Sequence, residues 1–153
     1  MNPVREKLDK AIIYCDGGAR NNPGPAAIGV IISGIGHQKS GIREYSEFIG
    51  RATNNQAEYR AVVFALKKVK QLIGKEKSKD LEVVIKSDSE LLINQLIGRY
   101  KIEDKDLQSL FFEIWNLKPD FKKVEFIQIP REKNKEADLL VNQELNNQVG
   151  LFG

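Results

Sequence analysis

Ile12-Ile13-Tyr14-Cys15-Asp16-Gly17-Gly18-Ala19-Arg20-Asn21-Asn22-Pro23-Gly24-Pro25 is an apolar run that stops at an acid and dissolves into a glycine, asparagine and proline turn. Its residues are β-branched and aromatic, and both alternating faces are apolar, Ile12 and Tyr14 on one, Ile13 and Cys15 on the other. That pattern predicts a central strand covered on two sides. Asp16 then stands at the strand's carboxyl edge, where open α/β sheets bind ligands. Taken alone, an acid there reads equally well as a cap on the turn.

Downstream, residues 26–33 and 40–49 read as two more strands, separated by a turn at Gly34-Ile35-Gly36-His37. Such short connections predict an antiparallel arrangement of the first three strands. Thr53-Asn54-Asn55-Gln56-Ala57-Glu58 opens a helix, with Thr53 or Asn54 as N-cap, that runs to about residue 73 and ends at Gly74. Val62, Ala65, Val69 and Leu72 share one stripe of it, and Glu58 lies on that stripe one turn earlier. An acid heading a buried face either reaches solvent past the helix end or points into a site.

Residues 81–86 form a fourth strand closed by Ser87-Asp88-Ser89, and a helix follows over 90–97, repeating the strand, acid, helix order of α/β units. Asp88 is a second acid at a strand's end, or an N-cap. Residues 104–117 read as another helix, with Leu107, Leu110, Phe111, Ile114 and Trp115 on its apolar face. A fifth strand over 124–129 ends at Pro130, and a last helix spans about 134–148, where Val141, Leu145 and Val149 share a stripe with Asp138. The fold expected is α/β, a mixed sheet with helices packed on it.

The 153 residues suit one domain, with 1–10 as a lead-in and 149–153 as an apolar tail. Composition is that of a soluble globular chain, 41% hydrophobic and 29% charged. A net charge of +3 is compatible with a polyanionic partner. The single cysteine, Cys15, excludes an intramolecular disulfide and reads as a small buried hydrophobe. No apolar run is long enough to cross a bilayer and no signal-peptide core is present, so no membrane role and a cytoplasmic location are expected. No apolar surface stripe is left over for an obligate oligomer, so a monomer is expected.

Asp16, Glu58, Asp88 and Asp138 each lie at a strand's end or on an inward stripe near a helix start. Gathered on one edge, they would raise one another's pKa unless cations neutralised them. Hard oxygen donors of this kind suit Mg²⁺ or Mn²⁺, which keep waters and accept a substrate phosphate. A pair of such ions can activate water and stabilise the leaving oxygen in phosphodiester cleavage.

Taken in order, Tyr14-Cys15-Asp16-Gly17-Gly18, Asn22-Pro23-Gly24-Pro25, Thr53-Asn54-Asn55-Gln56-Ala57-Glu58, Ser87-Asp88-Ser89 and Asn134-Lys135-Glu136-Ala137-Asp138 resemble the blocks of the ribonuclease H type 1 family, over residues 11–146. The resemblance implies a ribonuclease H-like fold, a five-stranded mixed sheet with helices on both faces. It implies endonucleolytic hydrolysis of the RNA strand of RNA/DNA hybrids, leaving 5′-phosphate and 3′-hydroxyl ends. Two Mg²⁺ ions, or Mn²⁺, would be held by the four acids: Asp16 bridging both, Asp88 and Glu58 on the ion nearer the leaving oxygen, Asp138 on the ion that delivers water. Glu58 would also accept from a ribose 2′-hydroxyl. Asn54 and Asn55 match minor-groove contacts, with helix capping as their structural alternative; Arg51, Thr53 and Asn22 match a pocket for a DNA-strand phosphate. Tyr100 and Lys101 stand where relatives place an aromatic and a lysine beside the nucleic-acid channel.

Two departures from the family pattern stand out. Pro130-Arg131-Glu132-Lys133-Asn134 lacks the loop histidine that many members carry before the last acid, and the only histidine, His37, reads as a solvated turn residue. Arg131 resembles an arginine of some archaeal and bacterial members; it can stabilise phosphate charge but cannot act as a base. Between residues 97 and 104 there is little room for the basic protrusion of other members. The rival readings are a hybrid-binding module with weak catalysis and a related nuclease that also cuts double-stranded RNA.

Overall fold

The structure, a computed structural model, describes residues 10–35 and 41–152. The lead-in before Lys10 and the turn that holds His37 lie outside the described residues. Strands β1 Lys10–Ala19, β2 Gly24–Ser33, β3 Arg43–Ala52, β4 Glu82–Ser87 and β5 Lys123–Gln128 form one sheet in the order β3-β2-β1-β4-β5. The first three pair antiparallel, and β4 and β5 continue the sheet in parallel. Helices α1 Asn54–Ser78, α2 Glu90–Leu96, α3 Lys105–Leu117 and α4 Lys135–Phe152 complete the described residues, with single 3-10 turns at Lys118–Asp120 and Arg131–Lys133.

β1 is the central strand, as its two apolar faces predict. Ala11, Ile13 and Cys15 join Ile28, Val30 and Ile32 of β2 against the buried face of α1, which carries Tyr59, Val62, Leu66 and Val69. On the other side of the sheet, Ala27 of β2 packs on Val141 and Leu145 of α4. Helices therefore lie on both faces, and the ends of α1 and α4 meet the same stretch of β1.

Several local readings shift. Asp16 does not end its strand: β1 stays paired with β2 as far as Ala19, whereas its pairing with β4 ends at Tyr14. The acid sits where the sheet divides, just past the parallel part. β3 runs from Arg43 through Gly50 to Ala52, because Gly50 adopts φ +78° at a β-bulge opposite Ala26 and Ala27 instead of breaking the strand. Gly74, at φ +86°, interrupts α1, after which the chain makes a further helical turn to Ser78. Leu72 is 37% exposed, outside the stripe that buries Val62, Ala65 and Val69. Trp115 is 44% exposed rather than core, its ring stacked on Phe111 and covered by the Lys118 ammonium at 3.7 Å. Residues 149–152 continue α4 and do not form a separate tail.

Gly17 is where α1 comes down onto β1. A Cβ there would lie 2.3 Å from the Ala57 carbonyl carbon and 2.6 Å from the Glu58 nitrogen, whereas one at Gly18 would meet only a Val141 methyl at 3.5 Å. Gly17→Ala is expected to cost about 1–3 kcal/mol of overpacking, roughly 3–10 °C of melting temperature, and Gly18→Ala far less. Equal melting temperatures for the two variants would show that α1 is not seated on that glycine.

Candidate active site

Thr53 caps α1: its hydroxyl accepts from the Gln56 N–H at 3.0 Å, and the Gln56 side chain accepts from the Thr53 N–H at 2.9 Å. The cap is thus Thr53, and neither Asn54 nor Asn55 performs it. One turn on, the helix delivers Glu58 to the seam beside Gly17. Ser89, not Asp88, caps α2, accepting from the Leu92 N–H at 3.2 Å. Asp88 is held instead by Asn134 at the head of α4, whose amide donates to Asp88 Oδ1 at 2.9 Å and to the Cys15 carbonyl at 2.8 Å. This buried asparagine latches β4 and α4 to β1 across 119 residues. Its role was not visible in the sequence beyond its position just ahead of a helix.

Asp16, Glu58, Asp88 and Asp138 line one cleft of about 360 Å³, together with Arg131 and Asn54. Asp16 is central electrostatically: the charges of Asp88 and Asp138 both act on it, and it acts in turn on Glu58. The Gly17 backbone acts on Asp16 and Glu58 in the opposite sense, lowering both. Burial, followed by the charges of Asp88 and Asp138, pushes the Asp16 carboxyl up to about 7. Burial, then Asp16 and Asp88, raises Glu58 well above the usual carboxylate range. Cys15 beneath them is fully buried, its thiol raised mainly by burial, and it packs as a small hydrophobe. Asp138 is on the solvent side, whereas Val141 and Leu145 of its stripe are buried. Arg131 Nε stands 3.7 Å from Asp88 Oδ2 with its side chain 91% exposed, a loose pairing free to re-aim.

The donor set fits a hard divalent cation. All four groups are carboxylates, and Glu58 Oε2 is buried with no hydrogen-bond partner. Among the described residues no three His, Cys, Asp or Glu side chains are drawn close enough to hold a metal ion by themselves, so a cation here would complete its shell with water or substrate oxygens. Open coordination is what Mg²⁺ requires, since it binds through few carboxylates and retains positions for water and phosphate.

Beside the acids the predicted substrate residues form a connected set. Asn22 Oδ1 accepts from the Asn54 N–H at 2.8 Å, and Asn54 Oδ1 accepts from the Ala19 N–H at 2.8 Å. In Asn22, Thr53 and Asn54 alike, an acceptor oxygen is engaged by the backbone, leaving amide or hydroxyl hydrogens to face outward. Arg51, on β3 opposite Pro25, and Asn55, on the first turn of α1, are exposed. Tyr100 and Lys101 follow α2; the Tyr100 hydroxyl donates to Glu90 at 2.8 Å, and the Lys101 carbonyl accepts from Gln95 at 3.0 Å.

Residues 14–144 match the family described as reverse transcriptase-like. A ribonuclease HI of Halobacterium salinarum is 38% identical over 138 residues, 88% of this chain and 63% of that protein. A bifunctional protein of Mycobacterium tuberculosis is 34% identical over 137 residues, 90% of this chain, which spans only 36% of that protein's length. The crystal structure of LC11 ribonuclease H1, a protein isolated from compost and solved in complex with an RNA/DNA hybrid, superposes with a TM-score of 0.81 at 41% identity, over 91% of this chain and 99% of that one. With the sheet order, the acid cleft and these likenesses in agreement, the chain belongs to the ribonuclease H type 1 family.

Proposed function

We propose that the protein is an endoribonuclease that hydrolyses the RNA strand of RNA/DNA hybrids, acting as a monomer and leaving 5′-phosphate and 3′-hydroxyl ends. The observation that carries the reading is the gathering of Asp16, Glu58, Asp88 and Asp138 in one cleft beside outward-facing donors. Mg²⁺ or Mn²⁺ ions held by the four carboxylates would supply an activated water and neutralise the leaving oxygen.

The chain's own residues do the rest. Glu58, which lines the cleft, would accept from a ribose 2′-hydroxyl, the group that separates RNA from DNA. With its oxygen tied to Ala19, Asn54 presents an NH₂ group to acceptors in a minor groove. Asn22, Thr53 and Arg51 offer donors to a phosphate of the uncut strand, and Asn55 reaches the groove beside Asn54. Lys101 and the Tyr100 ring extend this surface beyond α2. Arg131 takes the loop position where other members carry a histidine and stabilises charge on the scissile phosphate or the product.

Purified protein incubated with end-labelled RNA/DNA hybrid, double-stranded RNA and double-stranded DNA is expected to cut within the RNA of the hybrid only, in Mg²⁺ or Mn²⁺, and to stop in chelator. Cutting of DNA, or cutting without metal, would reject the reading; cutting of double-stranded RNA would widen the substrate class. Arg131→Ala is expected to lower kcat by about 10- to 100-fold, within the range for losing one charge-stabilising donor, with less than a threefold change in hybrid affinity. An unchanged kcat removes Arg131 from the mechanism.

A further inference from the structure

Arg20 lines the acid cleft at the end away from Arg131. Its guanidinium Nη2 donates to Asn146 Oδ1 at 2.6 Å, a contact between residues 126 positions apart. Four carboxylates share the cleft, yet no described acid pairs with this cation. A neutral amide holds it, which leaves its charge uncompensated and most of its five N–H donors free.

Its location follows from two rulers laid side by side. Arg20, the residue that follows β1, is four residues beyond Asp16, about 13 Å at strand rise. On α4, Asn146 is eight residues beyond Asp138, about 12 Å at helix rise. Asp16 and Asp138 line the cleft together with Val141, Asn142 and Leu145, and Arg20 of the same cleft touches Asn146, so the strand and the helix form the two walls of a single trough. The backbone of Arg20 is fixed as well. Its N–H donates to the Pro25 carbonyl at 2.9 Å, the neighbouring Ala19 N–H is held by Asn54, and only a glycine at position 24 leaves room for the Arg20 carbonyl.

Resting on the proposed hybrid cleavage, we infer that Arg20, steadied by Asn146, binds a backbone phosphate of the strand being cut, flanking the phosphate at the acids. A positioned guanidinium at one end of an otherwise acidic trough offsets the repulsion the acids exert on a phosphodiester and sets the register of the strand across them. Arg20 is a substrate-binding residue on this account and Asn146 a positioning residue.

The test measures binding of a short RNA/DNA hybrid to the Asp16→Asn protein, as parent, over a salt series in Mg²⁺. Adding Arg20→Gln, which keeps a donor for Asn146 but no charge, is expected to weaken binding about five- to twentyfold and to lower the slope of log K against log salt by about one. Arg20→Lys and Asn146→Ala retain the charge and are expected to keep the parent's slope. In the active protein, Arg20→Gln should raise KM with kcat within about twofold. Replacing DNA-strand phosphates by uncharged methylphosphonates should leave the Arg20→Gln penalty intact; a penalty that vanishes places Arg20 on the other strand and overturns the assignment. Unchanged slope and affinity overturn it too, as does a loss of more than about 5 °C in melting temperature with the slope unchanged, which would make Arg20 a staple between β1 and α4. A parent that binds no hybrid at all refutes the proposed function, and this inference with it.

Discussion

Asp16→Asn is expected to abolish hybrid cleavage, by at least about a thousandfold, while leaving hybrid binding intact and making the metal-free protein more stable. The expectation comes from position. The charges of Asp88 and Asp138 act on Asp16, and Asp16 acts in turn on Glu58 in the same cleft. Of the two raised acids it is the one on which both Asp88 and Asp138 bear. Asparagine preserves its shape but removes the negative charge on which any shared cation would depend, and a loss of about 4 kcal/mol in transition-state stabilisation is about a thousandfold in rate. Binding should survive because the outward donors of Asn22, Thr53 and Asn54 are held by the backbone, independently of Asp16. Stability should rise because the substitution takes one charge out of a buried cluster whose ion pair among the described residues is the loose one between Asp88 and Arg131. Activity and melting temperature therefore move in opposite directions. A variant that retains more than a tenth of the activity would remove the acid cleft from the chemistry, and a variant that melts lower would make Asp16 a structural residue.

Much of this architecture could be read from local pattern. The two apolar faces of β1, the Thr53 cap with Gln56 three residues later, and the strand, Ser-Asp-Ser, helix order around Asp88 are short-range features, and each marked a real element. Errors arose where a residue acted through tertiary context. Gly50 looked like a strand terminus and is a bulge; Trp115 looked like core and is a rim residue covered by Lys118. Asp16 was read as a strand end because Gly17 and Gly18 resemble a turn, yet the strand continues and Gly17 is there so that α1 can approach it. That four acids line one cleft could be anticipated because Asp16 and Asp88 each follow an apolar run and Glu58 and Asp138 each head an apolar helix stripe, where charge is anomalous. Asn134, Asn146 and Arg20 could not be, since an asparagine beside a helix or an arginine in a turn is unremarkable until the register of α4 over β1 brings residues more than a hundred positions apart into contact.

In chelator, the protein is expected to become less stable as pH rises from 5 to 8, the reverse of the behaviour of a salt-bridged carboxylate. Asp16 has a folded pKa of about 7 against an ordinary value of 3.8. Between those values the native state keeps a proton that the unfolded chain has released, so each step up in pH favours unfolding. The favourable contribution is present in full near and below pH 4, declines through the window, and is gone above about pH 7; Glu58, also raised, acts in the same direction. At 1.36 kcal/mol per unit, the change from pH 5 to 8 is roughly 2–3 kcal/mol, or about 4–12 °C in melting temperature. Mg²⁺ should reverse the trend. A cation binds the ionised carboxylates of the folded state and competes with the protons, so its stabilising effect should be small at pH 5 and large at pH 8. Asp16→Asn should flatten both the pH slope in chelator and the Mg²⁺ increment. Thermal melts of the two proteins at pH 5 and 8, each with Mg²⁺ or chelator, decide the matter without any substrate. A metal-free melting temperature that is flat or rises with pH would mean that the acids are not held against one another in the folded chain, and an Mg²⁺ increment of equal size at both pH values would mean that the cation binds somewhere other than this cleft.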